Sequence, residues 1–66
     1  KALNICFDLL KNDKKNAQYY YTIGILYESL EDYDNAIKYI NLGLKFAPGN
    51  IQLIEKFKSL KSKNNE

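Results

Sequence analysis

Few side chains in this 66-residue sequence could carry out acid–base or metal chemistry, and those few lack suitable partners. The chain has no histidine, and its single cysteine, Cys6, lies among apolar neighbours. Histidine is the usual general base and a common metal ligand, while one thiol can form neither an internal disulfide nor a thiolate cluster. We therefore expect Cys6 to be a buried small hydrophobic residue, and we expect no metal site and no cofactor.

Four carboxylates fall close together in the sequence, at Glu28, Glu31, Asp32 and Asp34. Paired carboxylates can act as general acid and base, but no nucleophile, histidine or metal ligand lies near these four in the sequence. A helix cap and a solvated turn explain them instead. The sequence therefore predicts that the protein is not an enzyme.

All ten basic residues are lysines, the net charge is +2, and four lysines crowd the last segment: Lys56, Lys58, Lys61 and Lys63. Such a segment suggests a small helical nucleic-acid-binding module as an alternative function. Phosphate binding needs a concentrated basic face, however, and guanine recognition favours arginine, which is absent. The solvated face of a helix explains these lysines better, so we expect nucleic acid not to be the partner.

Length and hydropathy limit the class of protein further. A chain of this size forms at most one small domain. It contains no run of about eighteen apolar residues and no secretory signal pattern, which predicts no association with a membrane and favours a cytoplasmic location.

The sequence matches itself when it is shifted by 34 residues. The shift pairs Ala2 with Ala36, Leu10 with Leu44, Lys11 with Lys45, Asn16 with Asn50, Gln18 with Gln52 and Leu26 with Leu60. Apolar residues also fall on apolar residues, as Cys6 does on Ile40. A period of about 20 to 50 residues indicates a solenoid, in which units stack because none can bury its apolar face alone.

Helical spacing of apolar residues predicts the elements of that solenoid. The predicted helices cover residues 2–12, 17–30, 33–46 and 51–62. Three of them follow a residue that can cap a helix, namely Asn16, Asp32 and Asn50. Pro48 and Gly49 are expected to end the third helix, the glycine by taking backbone angles that other residues resist. Short loops make neighbouring helices antiparallel, so the predicted fold is an all-α, antiparallel helix-turn-helix solenoid.

The same spacing predicts which side chains face inward. In the second helix the predicted stripe of inward-facing apolar residues extends to Leu30. In the fourth helix it consists of Ile51, Ile54, Phe57 and Leu60.

Residues 17–50 resemble one complete tetratricopeptide repeat. The residues at the places of the family's pattern are Tyr20, Ile23, Gly24, Tyr27, Ala36, Ile40 and Pro48. Gly24 and Ala36 would be small where the two helices approach closely. A glycine inside a helix costs about 1 kcal/mol relative to alanine, so Gly24 needs a reason in the packing. The sequence departs from the pattern at Glu31, where the family often has glycine, and at Gly43, where it often has alanine.

The resemblance implies a single domain over residues 1–66. Its parts would be the second helix of a preceding repeat over residues 1–16, the complete repeat over 17–50 and a capping helix over 51–66. The capping role is predicted because Lys58 and Lys61 stand one period after Gly24 and Tyr27, which gives this helix a polar face.

The family's proteins are in general non-catalytic scaffolds, so the resemblance implies binding of a peptide or partner helix in a concave groove. Carried over by position, the groove would present Gln18, Tyr21, Thr22, Ile25, Glu28, Ser29, Gln52, Glu55, Lys56 and Ser59. Tyr21 and Ile25, one helical turn apart, would lie outside the internal stripe and anchor a partner side chain. Members that clamp acidic chaperone tails use lysine and asparagine at such positions, and here only Lys56 matches, so that activity is not implied.

The first helix is expected to carry more apolar surface than one neighbour can cover. The residues concerned are Leu3, Ile5, Cys6, Phe7, Leu9 and Leu10. An upstream helix of a longer array or a second copy of the chain would supply the cover. The predicted partners are therefore a protein or peptide in the groove and a second copy of the chain on the first helix.

Overall fold

The structure is a computed structural model that describes residues 2–64, with the side chains of Ala2 and Leu3 left out of the description. It contains α1 (Ala2–Asn12), α2 (Ala17–Ser29), α3 (Tyr33–Phe46) and α4 (Ile51–Asn64). The predicted all-α helix-turn-helix fold is confirmed; α2 ends one residue earlier than predicted and α4 extends two residues further. Among the described residues, no helix is both long enough and apolar enough to cross a membrane.

The three predicted N-terminal caps are present. Each cap side chain accepts a hydrogen bond from a backbone N–H in the first turn, which would otherwise lack a partner. The bonds join Asn16 to Gln18 at 3.0 Å, Asp32 to Asn35 at 3.4 Å and Asn50 to Leu53 at 3.1 Å. The starts of α2, α3 and α4 therefore follow from local side-chain chemistry.

The turn between α2 and α3 places Glu31 in the left-handed region, with φ of 60°. The N–H of Glu31 donates to the carbonyl of Glu28 at 2.9 Å, and the N–H of Asp32 donates to the carbonyl of Tyr27 at 3.0 Å. These two bonds form a Schellman motif, whose left-handed position is usually glycine because other residues pay about 1–2 kcal/mol there. The departure from the family pattern at Glu31 thus falls on a strained backbone position.

The end of α3 is determined by Pro48 and not by the backbone freedom of Gly49. Ala47, the residue before the proline, leaves the helical region with φ of −138° and ψ of 69°. The ring of a following proline disfavours helical angles at that position. No described glycine has a positive φ, so the prediction that Gly49 takes angles other residues resist is wrong.

The core lies between α2, α3 and α4, with α3 in the middle. Four of its large side chains are fully buried: Ile23 from α2, Ile40 from α3, and Leu53 and Leu60 from α4. Burying one such side chain contributes about 1.5–3 kcal/mol, so these four account for a large share of the stability of so small a chain.

Two predicted inward-facing stripes need correction. Leu53, which was not predicted to face inward, is fully buried, whereas Ile51 is 67% exposed. The reason is helical geometry, because the stripe that contains Leu53 continues to Phe57 and Leu60, while four and seven residues on from Ile51 the spacing meets Glu55 and Lys58. Leu30 is also exposed, since it lies beyond the last residue of α2.

The helices approach most closely at two glycines. A methyl group on Gly24 would lie within 2.5 Å of Cγ1 of Ile40, and one on Gly43 would lie 2.9 Å from Cβ of Tyr20. A side chain at Gly24 would thus collide with the buried centre of α3, which confirms that packing is the reason for this glycine. Packing also explains Gly43 of α3, because Tyr20 of α2 and Leu53 of α4 both lie against it.

Replacing Gly24 with alanine should lower the free energy of unfolding by about 1–3 kcal/mol, because the added methyl overpacks the contact with Ile40. At an unconstrained helical site the same change would stabilise by about 1 kcal/mol, so the sign of the effect tests the contact. Urea denaturation followed by circular dichroism measures it.

The matched control is Gly49→Ala. No atom lies within 4 Å of a methyl group at Gly49, so this variant should be as stable as the original chain or slightly more stable. Equal stability of the Gly24→Ala and Gly49→Ala variants would contradict the described packing of α2 on α3.

Candidate functional site

A concave pocket of about 300 Å³ lies between α2 and α4. Its walls are formed by Tyr21 from α2 and by Gln52, Glu55, Lys56 and Ser59 from α4. The four α4 residues share one face of that helix, because their spacing follows the helical turn. All five lining residues belong to the ten positions at which the sequence predicted a groove.

The other five predicted positions lie on α2 outside the pocket. Gln18 and Ser29 are exposed, and Ile25 is 37% exposed. The hydroxyl of Thr22 donates to the backbone carbonyl of Gln18 at 3.0 Å, so its hydrogen-bonding capacity is partly used within its own helix. Glu28 is half-buried. The structure therefore brings the predicted set together around α4 and leaves most of its α2 members along a more open surface.

Tyr21 differs from the sequence-based expectation. It is half-buried and packs against the cluster formed by Ala36, Ile40, Leu53 and Leu60, so it does not lie wholly outside the core. Packing of this kind restricts the side chain to few rotamers. The aromatic wall of the pocket is consequently held in place by the core behind it.

Glu28 links α2 to α4 through two ion pairs. Its Oε2 lies 2.6 Å from Nζ of Lys63, and its Oε1 lies 2.9 Å from Nζ of Lys56. The ammonium groups of Lys63 and, next, Lys56 hold the pKa of Glu28 below its usual value, against the opposing effect of burial. In return, the carboxylate of Glu28 raises the pKa of Lys63.

The basic segment that the sequence predicted as a solvated face is partly turned back onto the fold. Besides the two lysines bound to Glu28, the exposed Lys61 has its Nζ 5.3 Å from the centre of the Phe57 ring in its own helix. The amide of Asn64 donates to the carboxylate of Asp34 at 3.3 Å. Glu28 and Asp34, which lie on either side of the turn between α2 and α3, therefore face the basic end of α4 within one chain.

Sequence reasoning missed the network around Glu28. A signal was present, because Lys56 and Lys63 are two helical turns apart and so lie on the same face of α4. What the sequence lacked was the placement of Glu28 opposite that face. Among the described residues, no group of three or more histidine, cysteine or acidic side chains is arranged to hold a metal ion.

On α1, two residues of the predicted self-association set are well exposed. Ile5 is 62% exposed and Leu9 is 42% exposed, and they lie one helical turn apart. The side chain of Leu3, another member of the predicted set, lies outside the described part of the chain.

The remaining members of that set face the protein. Cys6 is buried, as the sequence predicted, and Leu10 is half-buried. The ring of Phe7 contacts that of Tyr39 with 5.6 Å between centres, and Tyr39 stacks in turn on Tyr27. The unpartnered apolar surface of α1 is thus narrower than the sequence predicted.

The chain has short loops, antiparallel helices and a helical hairpin whose two helices meet at a glycine. These features are typical of the class of proteins built of helical-hairpin repeats. A family model for the tetratricopeptide repeat matches residues 17–50, just over half of the chain. The chain therefore belongs to the tetratricopeptide repeat family, whose repeats are typically non-catalytic and generally mediate protein–protein interaction. The searches of curated proteins and of solved structures gave no match.

Glu28→Gln should lower the free energy of unfolding at neutral pH by about 1 kcal/mol, because it removes the charge that binds two lysines. The folded state depresses the pKa of Glu28 from 4.5, so the ion pairs stabilise the fold above that pH and are lost as the pH falls through the folded value. Urea unfolding of the original chain and of Glu28→Gln should be measured from neutral to acidic pH. The difference between their free energies of unfolding should shrink as the pH falls.

Glu55→Gln removes an exposed carboxylate from α4 and serves as the control. In the described part of the chain Glu55 takes part in no ion pair, so this change should have little effect on stability at any pH. A Glu28→Gln variant with the stability and pH profile of the original chain would contradict a stabilising role for the network.

Proposed function

We propose that this chain binds a peptide or a partner helix along the surface formed by α2 and α4. The observation that carries the proposal is the pocket between Tyr21 and the polar face of α4. An aromatic side chain that is held by the core and surrounded by polar groups is typical of sites where a partner inserts an anchoring side chain. The module acts by binding and performs no catalysis.

The proposal also assigns the parts of the chain. Residues 17–50 supply the complete repeat, residues 1–16 the second helix of a preceding repeat and residues 51–66 a capping helix. The exposed lysines Lys58 and Lys61 support the capping role, because a terminal helix needs a polar outer face. A cytoplasmic setting for this module stays a prediction from the sequence.

The expected affinity is micromolar or weaker. A stable protein–protein interface buries about 800 Å² on each partner, which would be about a sixth of the 4515 Å² that this chain exposes. One pocket and a short run of α2 offer much less than that. Tight binding by these residues alone is therefore not expected.

We infer that nucleic acid is not the partner. Lys56 and Lys63 are both bound to Glu28, so half of the lysines in the basic segment already have an anionic partner within the chain. This leaves a weak basic face for phosphate binding.

An amphipathic peptide with a leucine stripe and glutamine at its polar positions should bind the isotopically labelled chain with micromolar or weaker affinity. We expect chemical-shift changes in nuclear magnetic resonance spectra at Tyr21, Gln52 and Ser59. Ser59→Trp fills the pocket and should abolish these changes, whereas Ser62→Trp, on an exposed position of α4 outside the pocket, should retain them. Nanomolar affinity, or equal loss in both variants, would contradict the proposal.

We also propose self-association through α1, which rests on the exposed pair Ile5 and Leu9. Sedimentation velocity at two concentrations should show a dimer that grows with concentration. Replacing both residues with lysine should give a monomer, while Leu30→Lys, at a position that is 65% exposed elsewhere, should not. A strict monomer at high concentration would rule out this mode.

A further inference from the structure

The charge balance at the pocket is asymmetric. Of its two charged lining residues, Lys56 has its ammonium group 2.9 Å from a carboxylate oxygen of Glu28. Glu55 is exposed, and within residues 2–64 no lysine nitrogen lies within 4.0 Å of its carboxylate. Glu55 is therefore the charged pocket-lining residue that lacks an oppositely charged partner among the described residues, and its charge is negative.

The other lining groups suit a cation with an apolar stem. Gln52 and Ser59 carry oxygen atoms that can accept hydrogen bonds, as the carboxylate of Glu55 does. The ring of Tyr21 offers an apolar wall, and aromatic rings also attract nearby ammonium and guanidinium groups. A volume of about 300 Å³ is at the small end for a binding pocket, which fits the end of one side chain.

We propose that this pocket selects a lysine or arginine side chain of the docked peptide or helix, an inference that rests on the proposed groove function. The aliphatic stem lies against Tyr21, and the charged head pairs with Glu55 and the neighbouring oxygen acceptors. The net charge of +2 would by itself favour acidic peptides over basic ones. A preference for a basic side chain must therefore come from the pocket.

Three peptides test this selectivity. They share the leucine stripe of the glutamine peptide and differ only at one central polar position, which holds lysine, glutamine or glutamate. At low ionic strength the lysine peptide should bind about fivefold more tightly than the glutamine peptide, because a screened ion pair and a cation–π contact add modestly to affinity. The glutamate peptide should bind more weakly than both.

Glu55→Gln should remove the preference for lysine, so that this variant binds the lysine and glutamine peptides with equal affinity. Glu31→Gln makes the same change of charge at an exposed position outside the pocket and should keep the preference. Equal affinities for the three peptides, tighter binding of the glutamate peptide, or a preference that survives in Glu55→Gln would overturn the inference while leaving groove binding intact. Failure of the glutamine peptide to shift the pocket resonances would instead overturn the proposed function, and this inference with it.

Discussion

The arrangement of this chain depends on the close approach of α2 and α3 at Gly24. Because Gly24 has no side chain, Ile40 occupies the space beside it, and Ala36 and Ile40 become fully buried. Gly43 has the same role on α3, where it lets Tyr20 of α2 and Leu53 of α4 come close. The missing side chain at Gly43 therefore helps to determine where α4 lies, because Leu53 of α4 packs there, and the position of α4 determines the pocket.

Apolar burial and charge have different roles in holding α4. The complete burial of Leu53 and Leu60 contributes about 1.5–3 kcal/mol for each side chain, whereas exposed ion pairs typically contribute less than about 1 kcal/mol. Docking of the helix is thus mainly hydrophobic. The bonds from Glu28 to Lys56 and Lys63 add orientation, since they join particular atoms of α2 and α4.

Features encoded locally could be predicted from the sequence, and features that depend on placement could not. Helical spacing and the caps at Asn16, Asp32 and Asn50 were enough to find four helices, because a cap bonds within its own first turn. The strained angle at Glu31 was indicated only by the family pattern, which often has glycine there, since glutamate itself gives no sign of it. The network around Glu28 joins residues that are 28 and 35 positions apart, so its geometry required the fold. Half of the predicted groove positions meet at one pocket for the same reason: α4 faces Tyr21 only once Leu53 and Leu60 are buried.

The proposed capping and binding roles of α4 are compatible because they would use different faces of one helix. Leu53 and Leu60 face the core, and Gln52, Glu55 and Ser59 face the pocket. Lys58 and Lys61, the residues that depart from the repeat pattern, are exposed and line no part of the pocket. The polar outer face of α4 therefore does not alter the face of the same helix that lines the pocket. Since the pocket also needs Tyr21, its two walls come from α2 and α4, and residues 17–50 without α4 would have no such site.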